Sequence, residues 1–331
     1  MPGNGTVTAL YRKPDGELVE MSADGAFREP LAEPRGLLWV DILVKSEDDG
    51  KLLADVFSFH PLTIEDSISQ HVDPAKVDDH GNYIFVVVQA LTEYHPEREL
   101  EAVEVDFYLG PNYVVSCHRE AVPAIDAFRE RCMKDERLFA RGADWLLHGL
   151  LDAMIDEYLP IVDAVDDAID FLEEQVLRRP QTQMLQQIML VKRNALRLRR
   201  ATTPLRDIMN RLARGEFPHL VSTEAALYFR DIYDHLVRIE YLVEALRDLA
   251  DGALQTYLSV VSNRLNEVMK ILTVAFVPLT IGTLMSGIYG MNLTEGFWPP
   301  ADSNWGFGAV VATIVLAAIL VIAYFRSRRW I

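Results

Sequence analysis

The stretch Ile271 to Tyr289, ILTVAFVPLTIGTLMSGIY, decides the architecture. It holds no charged residue and has the length a helix needs to cross the hydrocarbon core of a bilayer, about 20 residues. A second such stretch, Phe307 to Phe325, FGAVVATIVLAAILVIAYF, follows after a short polar loop. Two uncharged stretches of this length at the end of the chain read as transmembrane helices rather than as core helices of a soluble fold. Lys270 precedes the first span, and Arg326, Arg328 and Arg329 follow the second. The loop of residues 290–306 holds Glu295 and Asp302 and no base. Basic flanks stay on the cytoplasmic side, so both termini are expected there, with the plasma (inner) membrane crossed twice and residues 326–331 as a basic tail. Trp298 and Trp305 in the loop and Trp330 in the tail suit the two interfaces. The N-terminal MPGNGTVTALYRKPDG lacks the apolar core of a signal peptide.

Composition agrees with a small membrane part joined to a larger soluble one. Half of the 331 residues are hydrophobic and 24% are charged, which excludes general disorder and also a many-span protein. Two cysteines, Cys117 and Cys132, are too few for a disulfide framework. The net charge is −17, from 49 acids and 32 bases, and only two of those acids and three of those bases lie from Ile271 onward. The acidity therefore belongs to the soluble part, where it opposes nucleic-acid binding and favours cations or basic surfaces as partners.

Upstream of the first span no proline occurs between Pro218 and Pro278, and the only glycine in that interval is Gly252. One helix of roughly 90 Å, at 1.5 Å per residue, is expected here as a stalk (218–270) that runs directly into the first span (271–289). Ile232, Leu236, Ile239, Val243, Leu246, Ala250, Ala253, Tyr257 and Val260 recur at alternating spacings of four and three, a heptad seam that needs partners. Before the stalk, Asp144 to Glu174 contains ten acids and no base, whereas Arg178 to Arg214 contains ten bases and one acid, with Pro180 at the reversal. An antiparallel helical hairpin (143–217) that pairs an acidic arm with a basic one explains the pattern. The acidic arm either concentrates cations or is a solvated, ion-paired surface.

Residues 1–142 read as a cytoplasmic α/β domain, which makes the whole an α+β membrane protein. Strands are expected at Leu37–Val44, Tyr83–Leu91 and Val103–Leu109, the last with apolar residues at period two. Gly110-Pro111-Asn112 then turns the chain back into Tyr113–Cys117 as a hairpin. Helices are expected at Lys51–Phe59, Leu62–Ser69 and Val122–Phe139.

Two spans cannot enclose a water-filled path, because lipid offers a permeating charge no polar group. A channel built from this chain is therefore an oligomer. Asn266, Thr273, Thr280 and Gly287 lie seven residues apart on one face of the first span, with Thr283 near them. A ring of such helices presents amide and hydroxyl oxygens that suit a hydrated divalent cation. The same small residues also serve plain helix packing.

At the outer end of this span stands Tyr289-Gly290-Met291-Asn292. It follows a stalk containing Tyr228-Phe229-Arg230-Asp231-Ile232-Tyr233-Asp234-His235 and Ser262-Asn263-Arg264-Leu265-Asn266-Glu267-Val268-Met269-Lys270. With His60-Pro61-Leu62-Thr63-Ile64-Glu65-Asp66 and Pro74-Ala75-Lys76-Val77 nearer the N-terminus, most of the chain resembles the CorA family of magnesium and cobalt transporters. The resemblance implies a homopentamer in a lipid bilayer, with Gly290, Met291 and Asn292 as the selectivity filter at the periplasmic mouth. It also implies pore positions at Asn266, Leu272, Thr280, Thr283 and Gly287, beside Thr273, with Leu272 closing the pore by dewetting. A regulatory Mg²⁺ is implied between Glu65 and Asp66 of one subunit and Asp231 of the next. The loop after Asn292 departs from the family's usual Met-Pro-Glu-Leu type, and Glu295 is left as its cation-attracting residue. Thr280 stands where the family often has a Met ring.

Co²⁺, Ni²⁺ and Zn²⁺ are alternative cargoes, and the related ZntB-type zinc transporters share the architecture. A membrane-anchored oligomeric scaffold is the rival from another class. An enzyme is not expected: the eight histidines lack zinc-site spacing, and no phosphate-binding loop or nucleophile motif occurs. His71-Val72-Asp73 and Asp78-Asp79-His80 read as metal-holding or as ordinary polar loops.

Overall fold

The structure is a computed structural model that describes residues 6–21, 27–291 and 304–328. It divides into two compact units, Met1–Gln175 with Gln181–Leu254, and Val176–Pro180 with Gln255–Ile331. In chain order the elements are β1 (Thr6–Arg12), β2 (Leu18–Met21), α1 (Arg28–Ala32), β3 (Leu37–Leu43), α2 (Gly50–Asp55) and α3 (Pro61–Ile68). Then come β4 (Lys76–Asp79), β5 (Ile84–Leu91), β6 (Ala102–Leu109), β7 (Tyr113–His118) and α4 (Pro123–Lys134). Four longer helices and one short one complete the chain: α5 (Ala143–Asp156), α6 (Tyr158–Arg178), α7 (Thr182–Ala213), α8 (Thr223–Gly290) and α9 (Asn304–Ser327).

The seven strands form one sheet in the order β2-β1-β3-β7-β6-β5-β4. Only β3 and β7 pair in parallel, and every other neighbouring pair is antiparallel. The expected β6–β7 hairpin is present, with Leu109 opposite Val114 across the Gly110-Pro111-Asn112 turn. Both faces of the sheet are covered, which is why β5 reads IFVVVQAL rather than as a strict alternation. On one face Leu53, Phe57 and Phe59 enter the core, and Phe59 stacks on Tyr108 with ring centroids 4.0 Å apart. On the other, Trp39 meets Phe128 of α4 edge-on at 5.9 Å and Phe139 at 6.4 Å. Gly149 of α5 lets that layer close up, since a Cβ there would lie 2.6 Å from the Phe128 ring.

The second face also buries a charge. Asp41 accepts from Ser116 Oγ (2.5 Å), from His118 Nε2 (3.1 Å) and from the Arg129 guanidinium, while Trp39 Nε1 donates to Ser116 Oγ (3.0 Å). Burial works against a charge on His118, but the hydrogen bond and charge of Asp41 outweigh it and raise the imidazole's pKa.

Several helix limits differ from expectation, each for a local reason. The helix expected over Lys51–Phe59 stops at Asp55, because Phe57 and Phe59 both turn inward and Ser58 between them takes a positive φ of 56°. The one expected over Val122–Phe139 breaks at Asp135, whose extended backbone and side chain, accepting from Arg137 N, start a separate 3-10 turn over Glu136–Phe139. The stalk helix begins at Thr223, where Ser222 Oγ accepts from Ala225 N and donates to Asp144 Oδ2 at 2.6 Å.

Among the described residues, the long-range ion pairs of the basic helix α7 run to α8 and Glu99 and not, as expected, to the acidic arm. The acidic stretch is two helices, α5 and α6, and the bases of α7 reach elsewhere. Lys192 pairs with Asp251 at 2.6 Å, Arg199 with Glu244 at 3.8 Å and Arg206 with Glu240, all on α8, while Arg193 and Arg197 hold Glu99. Rising numbers on α7 meet falling numbers on α8, so these two helices run antiparallel. The heptad seam supplies the apolar side of α8, with Ile232, Leu236, Ile239, Val243, Leu246, Ala250, Ala253 and Tyr257 buried.

Candidate ion path and cation sites

Helix α8 continues from the stalk through Pro278 to Gly290 without a break in its assignment. It and α9 are both long and apolar enough to cross a membrane, and none of the most apolar stretch of α8 and 6% of that of α9 is buried. A core helix would be mostly buried, so these two are built to meet lipid or other copies of themselves.

Around α8 the two sides differ. A Cβ on Gly282 would touch Ile314 of α9 at 3.5 Å, and Ser286, Tyr289 and Gly290 line a hollow with Phe307, Val310 and Ile314. At about 100° per residue Gly282 lies roughly 160° around the helix from Thr280. The Asn266, Thr273, Thr280 and Gly287 stripe therefore faces away from the second span of its own chain. Asn266, Thr280, Thr283 and Gly287 are exposed, Thr273 is half-buried, and nothing lies within 4 Å of a Cβ placed on Gly287. Leu272 is 42% exposed. Asn266 and Thr273 share a shallow hollow with Asn263, Glu267, Met269 and Lys270.

The threonines are locally satisfied in one sense only. Thr273 Oγ1 donates to Met269 O at 2.8 Å, Thr280 Oγ1 to Phe276 O and Thr283 Oγ1 to Leu279 O, both at 2.9 Å. Each hydroxyl hydrogen is thus spent on the helix, and the lone pairs remain as acceptors. Such a side chain can receive a hydrogen bond from a cation's bound water. Gly290 ends α8, and Met291 beyond it donates its N–H to Ile288 O at 3.3 Å. Asn292 and Glu295 lie outside the described residues, as do Trp298, Asp302 and Trp330.

The residues of the implied regulatory site are all in the sheet-bearing unit. Glu65 and Asp66 occupy α3, whose first turn is set by Pro61 and by His60 Nδ1 accepting from Leu62 N. Asp66 accepts from Lys76 Nζ at 2.6 Å, and Lys76 also lies 3.7 Å from Asp73. Burial works against the Lys76 charge, but the hydrogen bond and charge of Asp66 outweigh it and raise its pKa. Asp231 is exposed on α8, and among the described residues no hydrogen bond or ion pair joins it to Glu65 or Asp66. Among the described residues, no three His, Cys, Asp or Glu side chains converge as a metal site. Of the two His-Asp loops, His71-Val72-Asp73 has Asp73 beside Lys76, and Asp78-Asp79-His80 has Asp79 against His219 at 3.2 Å and His80 stacked on Tyr83.

Asp152 lies near Asp231, with Asp156 beside it on the same helix, and neither stood out in the sequence. Burial, and after it the charges of Asp156 and Asp231, push the carboxyl of Asp152 up. Asp152 and Asp156 were visible only as members of a long acidic run, and their i, i+4 spacing on one helix face was the signal that could have singled them out.

The model of the CorA-like Mg2+ transporter protein family matches residues 34–329. The Cobalt/magnesium transport protein CorA of Thermotoga maritima is 35% identical over 346 residues, covering 100% of this chain and 96% of that protein. This chain belongs to the CorA-like transporter family. That family consists of membrane transporters, not enzymes, and the two exposed apolar helices fit transmembrane spans. The complete structure of the CorA magnesium transporter from Methanocaldococcus jannaschii has the same fold, with a TM-score of 0.81 at 20% identity over 98% of this chain and 99% of that one. The ZntB cytoplasmic domain from Vibrio parahaemolyticus is more distant, with a TM-score of 0.60 at 10% identity over 78% of this chain and 98% of that one.

Proposed function

We propose that this chain assembles as a homopentamer in the plasma membrane and admits hydrated Mg²⁺, and Co²⁺ with it, down the membrane potential. The observation that carries this reading is the stripe of Asn266, Thr273, Thr280 and Gly287 on the side of α8 turned away from Gly282 and Ile314. Copies of that face around an axis line a path with acceptor oxygens, and Leu272 supplies an apolar ring able to close it by dewetting. Gly290, Met291 and Asn292 form the mouth, where the Asn292 amides take the first shell of the hydrated ion. Both termini lie in the cytoplasm. A potential of 100 mV supplies about 2.3 kcal/mol per charge, so about twice that for a divalent ion, and no nucleotide hydrolysis is needed.

Internal Mg²⁺ regulates the pore by bridging Glu65 and Asp66 of one subunit to Asp231 of the next, with Asp152 behind Asp231 adding negative charge. Carboxylates facing each other across an interface repel, and the bound ion turns that repulsion into a link. Uptake of Mg²⁺, Co²⁺, Ni²⁺ and Zn²⁺ into liposomes under an imposed potential, with and without a pH gradient, tests the reading. Potential-driven Mg²⁺ entry that Asn292→Ala abolishes is the expected result. Proton-dependent Zn²⁺ flux would move the protein to the zinc group, and no divalent flux at all would leave an anchored scaffold.

A further inference from the structure

A cavity of about 280 Å³ lies inside the sheet-bearing unit, between the end of α3 and strands β6 and β7. Its walls include Ser67, Ser69, Glu104, Asp106, Cys117 and Arg119, and Gln70, His71 and Val72 form its exposed rim. Asp106 is 2% exposed, it lines this cavity, and its Oδ1 has no hydrogen-bond partner. A buried carboxylate oxygen without a partner costs several kcal/mol and asks for a counter-charge or a donor. Glu104, two residues along the same face of β6, accepts from Asp73 N and lies half-buried beside it. Arg119, the one Lys or Arg on the wall, donates NH1 to the carbonyls of Ile68 and Ser69, and the charge of Lys76 acts on Glu104 and Asp106 from outside the lining. Both ring nitrogens of His118 are engaged, by Asp41 and by Glu120 O, so the buried part of the wall offers chiefly carboxylate and hydroxyl oxygens, with the His71 imidazole at the exposed rim.

We infer that this cavity is a second divalent-cation site, complete within one protomer, in which Asp106 and Glu104 hold a largely hydrated hard cation of the Mg²⁺ or Mn²⁺ class. Two carboxylates rather than three are the arrangement Mg²⁺ uses when it keeps most of its water. Six waters fill about 180 Å³ as liquid, which the cavity accommodates. Burial pushes Glu104 up to about 7 and Asp106 well above its usual range, while the charge of Lys76 pulls both the other way. Burial also pushes the Cys117 thiol up, so it stays protonated and does not recruit a soft metal. The cavity wall at Ser67 adjoins Asp66 on α3, so an ion here sits directly behind the carboxylate assigned above to the subunit interface.

The test counts Mn²⁺ bound to the full chain in lipid nanodiscs, by paramagnetic resonance, in Glu104→Gln, Asp106→Asn and a double Asp66→Asn, Asp231→Asn variant. The expected result is that each of the first two loses about one Mn²⁺ per protomer while the double variant keeps it. Unchanged stoichiometry in Glu104→Gln, or loss of every Mn²⁺ in the double variant, would overturn the site. Glu104 is half-buried rather than buried, so Glu104→Gln decides the matter even if Asp106→Asn fails to assemble. The count does not depend on flux, so failure of the transport reading leaves it standing and failure here leaves transport standing.

Discussion

The Asp41 network and the threonine stripe of α8 handle polar groups in opposite ways. In the sheet, a full charge is buried and every partner it needs is supplied in place by Ser116, His118 and Arg129. On α8, neutral oxygens are left exposed, with their hydrogens tied to the backbone four residues back and their acceptor capacity open. The first arrangement fixes one structure, because removing any member strands a buried charge. The second fixes very little and leaves oxygen to offer to something that passes. A permeation path needs that second property, since a site that binds fully does not release.

The largest effect is expected from a charge placed where the neutral oxygens are. Thr280→Lys in every copy of the oligomer should take Mg²⁺ uptake below detection in liposomes while the assembled species on size-exclusion chromatography is unchanged. Normal uptake would mean that this face does not line the path. Removing a charge from the sheet should do the reverse. Asp41→Asn leaves the buried His118 without its counter-charge and Arg129 with Asp126 alone, and is expected to cost about 3 kcal/mol of stability, seen as a lowered unfolding midpoint, with ion preference unaltered in whatever protein folds.

The sheet side of the comparison also carries a pH signature. His118 has a raised pKa in the folded state, so its contribution is fully present below the unfolded value of about 6.5 and is lost as pH rises through the higher folded value. Midpoints should therefore fall from pH 6 to pH 8, and His118→Gln should flatten part of that fall. Glu104, raised to about 7, shifts stability in the same direction at lower pH, so the difference between the two curves isolates the histidine. Parallel curves would mean that His118 is neutral in the fold.

How much of this was legible in the chain depends on how local the cause was. The two spans, the stalk and β5–β7 follow from uncharged length, heptad spacing and apolar runs, each readable in a window of a few turns. Strands β1, β2 and β4 escaped notice because β4 is the charged edge segment Lys76–Asp79 and β2 is four residues long, so neither carries a run or a clean alternation. The parallel pairing of Leu38 with Tyr113 joins segments far apart in sequence, and nothing local encodes it. The charge reversal at Pro180 was legible as composition but not as pairing. The bases of α7 pair instead with Glu240, Glu244 and Asp251 of α8, whose sequence lies far beyond the acidic run. The seven-residue spacing of the polar stripe puts it on one face of a helix in the sequence alone, whereas its turning away from α9 required Gly282 and Ile314 together.

Lys76 is where the two ways of treating polar groups meet, and it gives the smallest expected effect. Its ammonium sits 2.6 Å from Asp66, as a buried partner would, yet both side chains remain about a third exposed, so solvent screens the pair. If Asp66 is to hold Mg²⁺ against Asp231 of a neighbour, Lys76 competes with the ion for the same carboxylate. Lys76→Gln should therefore lower the internal Mg²⁺ needed for half-inhibition of uptake, by no more than about fivefold given the modest worth of an exposed ion pair. A shift the other way would mean that Lys76 orients Asp66 for the ion rather than competing with it. Because the substitution adds no carboxylate and touches neither α8 nor Asp41, a change in half-inhibition with unaltered maximal flux would locate the regulation in α3 and leave the path along α8 as a separate device.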